Sequence, residues 1–200
     1  MKEDCIQILP YVKTIDQWMV EMKIPSELRT KISTSDVILL PVGYHNSPLA
    51  FANGAYEFME YCIGQNKLNI EICCTDDDFT QIEMCSFQLR LGRYLLPSAV
   101  IGVIFWNLIS NYIYDQVEHY LPQINKEDIV DPKEFQSAPE VSFSIILPDA
   151  NGHNKEIKYD GPLEGIEKVG EIIKSMSDEA IQRDTTFRVS IYNRLLLNIL

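Results

Sequence analysis

LLPSAVIGVIFWNLISNYIY, residues 95–114, decides between a chain threaded through a bilayer and a water-soluble fold built round a greasy helix. A helix crossing the hydrocarbon core needs about 20 residues nearly free of polar groups. Pro97, Ser98, Asn107, Ser110 and Asn111 interrupt this window, so it reads as a core helix over residues 98–120. Asn107, Ser110 or Asn111, and Tyr114 recur at three- and four-residue intervals and mark a polar face. Ile101, Ile104 or Phe105, Leu108, Tyr112, Val117 and Leu121 line the other face. Residues 99–105 are apolar all round, which predicts burial of that half on every side.

Upstream, Tyr11, Ile15, Trp18 and Met22 repeat at helical spacing and stop before Pro25, which opens a short second helix over 24–32. VILLPV, residues 37–42, is a continuous apolar run between Asp36 and Gly43, the pattern of a strand buried on both faces. Ser47 as cap and Pro48 as first helical residue predict a helix to residue 63, with Phe51, Ala55, Phe58 and Cys62 in line. In 67–75, Leu68, Ile70, Ile72 and Cys74 alternate with Asn69, Glu71 and Cys73. A turn at 76–78 leads into 79–86, so the expectation is a hairpin.

Downstream, PQINKEDIVDPKEFQSAP (122–139) has three prolines and little periodicity, a soft internal boundary at 122–140. VSFSIIL and KEIKY flank DANGHN, whose Asn151 and Gly152 signal a hairpin. A helix follows with Ile166, Val169, Ile173 and Met176 on one face, then a last strand carrying Phe187, Val189 and Ile191. Hairpin followed by helix therefore occurs twice, without a residue-level repeat. About sixty residues after the boundary are marginal for an independent core, so residues 1–200 are expected to form a single α+β domain. Its expected architecture is a mixed sheet of hairpins and one buried strand packed on a long central helix.

An apolar fraction of 46% and a charged fraction of 23% are those of an ordinary globular chain. The start, MKEDCIQILP, places acids where a secretory leader has bases, and five cysteines without a CxxC spacing favour reduced thiols. The expected location is cytoplasmic. Net charge is −12, and residues 115–140 hold seven acids against two lysines. That field repels phosphate backbones and acidic lipid surfaces, so neither nucleic acid nor a membrane is an expected partner. A basic protein partner is compatible with it, including one whose nucleic-acid site the acids would imitate.

Gly43, His45 and Ser47 sit where a buried strand feeds a helix, a place that favours anions. The stretch lacks the lysine and glycines of a phosphate loop and the GxSxG elbow of hydrolases, and a capped helix start accounts for the same letters. Asp76, Asp77 and Asp78 could gather oxygen around a divalent metal, although their spacing is not that of an EF-hand and a solvated turn explains them equally. His45 or His119 could serve Cys73 or Cys74 as base, but buried strand thiols explain those cysteines. Leu195, Leu196, Leu197, Ile199 and Leu200 must pack on the core or on another subunit. The expectation is a non-enzymatic interaction or assembly subunit without a cofactor, acting in a homo-oligomer or larger complex. The alternative is a small enzyme or an anion- or nucleotide-binding protein using residues 43–47, with a metal at 76–78.

Overall fold

Residues 5–43, 49–65, 67–82, 88–120 and 140–197 are described by a computed structural model, without the side chains of residues 76, 117–120 and 184–197. The chain runs β1 (Ile6–Pro10), α1 (Ile15–Glu21), α2 (Ser26–Thr34), β2 (Val37–Leu40), β3 (Ala50–Ala52), α3 (Asn53–Gly64) and β4 (Ile70–Ile72). It continues through β5 (Thr80–Ile82), β6 (Leu89–Leu95), α4 (Ala99–Tyr120), β7 (Glu140–Pro148), β8 (Asn154–Pro162) and α5 (Glu167–Leu197). The fold is α+β. Six strands form a mixed sheet in the order β1-β8-β7-β6-β2-β4, and β3 and β5 form a separate parallel pair. Within the large sheet, β6 with β7 and β2 with β4 are parallel; the other neighbours are antiparallel.

Strand alternation assigns the two faces. Tyr94 of β6 meets Phe58 of α3 at 5.6 Å and Phe105 of α4 at 5.0 Å between ring centroids, and Phe143 of β7 meets Trp106 of α4 at 6.0 Å. Those helices therefore cover one face. Arg93 points to the other, where its guanidinium lies 5.2 Å from the centroid of Tyr11. Gly102 is the close approach that seats α4, since a Cβ there would stand 3.1 Å from both Ile173 of α5 and Leu147 of β7.

Local chemistry explains several boundaries. Thr14 Oγ1 accepts from Gln17 N at 3.2 Å while Gln17 Oε1 accepts from Thr14 N at 2.9 Å, a capping box that starts α1. The β7–β8 hairpin turns on Asp149, whose Oδ1 accepts from the amides of Asn151 at 2.8 Å and His153 at 3.0 Å, with Gly152 at φ +79. β2 is buried at all four positions, as its continuous apolar run predicts. The long helix begins at Ala99, one residue from its expected start, with Phe105, Leu108, Ile109, Tyr112 and Ile113 buried. Among the described residues, no helix is long and apolar enough to cross a membrane.

Four expectations are corrected. The first half of α4 is not enclosed, because Val100 and Ile104 remain exposed. β4 and β5 do not form the hairpin expected over residues 67–86. β4 joins β2 with Ile70 opposite Val37, whereas β5 joins β3 in the other sheet, and a 3-10 turn at Asp76–Asp78 separates them. The turn residues fix a bend without fixing the partner strand. The helix expected from Ser47 begins at Asn53, because Ala50–Ala52 is recruited into a fully buried strand, a case of tertiary context overriding alanine's helix propensity. Residues 187–192 are helical, as α5 continues to Leu197 with no glycine or proline after Gly170 to stop it. The doubled hairpin-and-helix pattern falls with the first hairpin. The expected soft boundary lies, up to residue 139, outside the described residues.

Candidate functional site

The most distinctive local geometry lies in β6. Beside β7, Arg90 stands opposite Ser142, Gly92 opposite Phe143 and Arg93 opposite Ser144, so Leu91 is an inserted residue, a bulge. Simple alternation would put Arg90 and Arg93 on opposite faces. The bulge turns both to the face away from α3 and α4, where Ser142 and Ser144 also lie. Gly92 makes this possible at φ +91, where a Cβ would stand 2.9 Å from Ala55 Cβ in α3. On the next strand Asp160 faces Ser142, and Lys158 faces Ser144.

These residues floor a groove of about 350 Å³, walled by Val42, Ala52 and Ile82. Its lining holds three cations (Arg90, Arg93, Lys158) and two carboxylates (Glu156, Asp160), a local positive excess in a chain of net charge −12. Glu156 is 5% exposed. Its Oε1 accepts from Ser144 Oγ at 2.7 Å, and its Oε2 lies 3.9 Å from Lys158 Nζ. Arg93 Nε lies 2.9 Å from the same Oε1, but its N–H vector misses the oxygen, so that pair is Coulombic rather than a directed hydrogen bond. Asp160 Oδ1 accepts from Gln88 Nε2 at 2.6 Å. Arg90 Nε is buried with no acceptor. Ser144 has a carboxylate beside it, and among the described residues that line the groove there is no imidazole.

The outer strand β1 is a second surface. Ile8 is 52% and Leu9 38% exposed, and they point to opposite faces of the sheet. IQILP carries no charge, and among the described residues no strand pairs with its outer edge. The opposite edge, β4, is only three residues long and carries Glu71. Edge strands are ordinarily shortened, charged or covered against pairing, and among the described residues β1 has only its terminal proline for protection.

Of the residues singled out in the sequence, Gly43 has φ +69 and its amide donates to Ala50 O at 3.2 Å, next to the groove residue Val42. His45 and Ser47 lie outside the described residues. Asp77 and Asp78 are exposed on their turn, with Thr75 Oγ1 donating to Asp78 Oδ2 at 2.8 Å; the side chain of Asp76 lies outside the description. Among the described residues, no three His, Cys, Asp or Glu side chains gather where a metal could sit. The side chains of His119, Leu195, Leu196 and Leu197, and all of Ile199 and Leu200, lie outside the description. Burial pushes the Cys62 thiol up to about 12 and raises that of Cys73 further, with the neighbouring Cys74 adding to it, so neither is a thiolate nucleophile near neutral pH. Arg90, Arg93, Lys158 and Glu156 were not legible as a site. The available signal was LRLGRYL, in which a glycine between two arginines breaks the alternation.

No protein-family model matches this chain, and comparison with curated proteins and with solved structures found no match.

Proposed function

We propose that this chain is a non-enzymatic assembly subunit that pairs with a second copy of itself through β1. The bare, uncharged edge of β1 carries the reading. An antiparallel strand can meet its own copy across a two-fold axis, which closes the contact and leaves no further sticky edge. A second copy is the favoured occupant because residues 6–10 contain no charge to repel their like in an otherwise acidic molecule. Ile8 and Leu9 would then gain apolar neighbours on both faces of a joined sheet.

The end of α5 adds to this reading. Gly102 lies against Ile173 and Gly170 against Trp106, so α4 and α5 run antiparallel. On that register Ala99 is level with about residue 176, and α5 runs on for about 20 residues, or 30 Å, past the start of α4. Leu195, Leu196 and Leu197 stand on this overhang. The free thiols of Cys5, Cys62 and Cys73 fit a reducing, cytoplasmic setting for the assembly.

Sedimentation velocity and native mass spectrometry over a concentration series test the proposal. The expected result is a dimer for the natural chain and a monomer for Ile8→Lys combined with Leu9→Lys, with unchanged circular dichroism. A natural chain that stays monomeric at high micromolar concentration, or a double variant that dimerises equally well, overturns it.

A further inference from the structure

Four arginine side chains are described, and three have a hydrogen-bond or ion-pair partner. Arg29 Nε donates to Ile24 O at 2.7 Å, Arg183 donates to Asn151 Oδ1, and Arg93 pairs with Glu156. Arg90 has none among the described residues, although its Nε is buried. A buried charged donor without an acceptor is among the more costly features a fold can carry, and a bound anion is one way to satisfy it. The bulge at Leu91 and the left-handed Gly92 together turn this side chain towards the groove beside Arg93. Bulges that re-aim a side chain are common beside functional sites.

We propose that the groove between the β3–β5 pair and β6–β7–β8 binds a small phosphate monoester, held chiefly by Arg90. The donors are spread along the groove: Arg90 and Arg93 on β6, Ser142 on β7 and Lys158 on β8. Three phosphoryl oxygens bearing two charges engage such a spread, and an arginine fork matches their geometry. A planar carboxylate has two oxygens and one charge, so it engages fewer of these donors. Lys158, with its side chain 46% exposed and 3.9 Å from Glu156, is free to swing to a ligand. Asp160 offers an acceptor for a hydroxyl on the organic part of the ester. The volume of about 350 Å³ falls at the small end of ligand pockets, suited to one sugar or one nucleoside rather than a dinucleotide. This binding does not depend on whether the chain pairs through β1.

The test is calorimetric titration of the full chain with ribose 5-phosphate, adenosine monophosphate and inorganic phosphate. Ribose, adenosine and citrate serve as controls, and the series is repeated on Arg90→Gln and Lys158→Gln. The expected result is binding of at least one monoester, no binding of its dephosphorylated counterpart, and weakening by about tenfold in Arg90→Gln. The unliganded Tm of Arg90→Gln should not fall, because among the described residues no acceptor loses a partner. Lys158→Gln, a change at a half-exposed position, supplies the same comparison if Arg90→Gln does not fold. Inorganic phosphate binding that Arg90→Gln weakens supports the site. Failure of every phosphate-bearing probe to bind overturns the proposal, as does affinity that both variants retain or citrate binding as tight as that of the esters.

Discussion

Tyr94 and Tyr159 show how burial at single positions fixes a response of the whole fold to alkali. Tyr94 is fully buried and its hydroxyl donates to Leu91 O at 2.5 Å; burial holds its pKa well above the ordinary 10.0. Tyr159 donates to Pro162 O, and burial, with the charges of Cys5 and Glu164, pushes it up to about 12. Below pH 10 both side chains are protonated whether the chain is folded or not, and their contribution to stability is complete. Above it the unfolded chain sheds these protons first, so stability falls through the window from 10 to about 12, and further for Tyr94. Urea midpoints measured across that window should fall steadily, and Tyr159→Phe should flatten the decline. A decline of the same slope in both proteins would show that Tyr159 plays no part in it. The groove illustrates what a single residue hides from the sequence. Arg90 and Arg93 are three apart in a strand, which alternation assigns to opposite faces, and only the inserted Leu91 brings them together.

At the scale of the element, α4 and α5 are held at a distance set by Trp106 and Gly170. A Cβ at Gly170 would stand 2.8 Å from Trp106 Cε2, within a ring that also packs on Phe143. In an exposed helix, alanine for glycine stabilises by about 1 kcal/mol. Here the overlap reverses the sign, and Gly170→Ala should destabilise by about 1–3 kcal/mol, the range for overpacking a closed contact. Chemical denaturation followed by tryptophan emission reads both the loss and the shift of the indole. Elements with strong local signals were legible in the sequence: α4 from its length and apolar content, β7–β8 from Asn151 and Gly152, and β2 from its unbroken burial. Those set by distant partners were not. β4 and β5 have the right alternation, but β2 and β3 claim them, and nothing in residues 67–86 names those partners. β1 was missed because five residues ending in proline look like a lead-in until β8, some 150 residues later, pairs with them.

For the whole molecule, charge and apolar edge act in opposite directions. Two copies approaching through β1 each carry −12, and this repulsion is felt over a Debye length of about 10 Å at 0.1 M salt. Pairing through uncharged strands gains nothing from low salt, so the dimer should tighten as salt rises from about 0.05 to 0.5 M. Sedimentation equilibrium over that range measures the trend. Weakening with salt would mean that ion pairs, not the strand edge, hold the copies together.

The pairing of β1 with β8 also bears on how the chain is made. A ribosome releases the IQILP segment about 150 residues before its hydrogen-bonding mate. At synthesis rates of about 5–20 residues per second, that leaves the strand single for roughly 8–30 seconds on every nascent chain. During that interval neighbouring polysomal copies present the same bare segment to one another, so the place where mature subunits would join is also where half-made ones would stick. Chaperone occupancy should accordingly concentrate on translation intermediates that contain β1 but not yet β8.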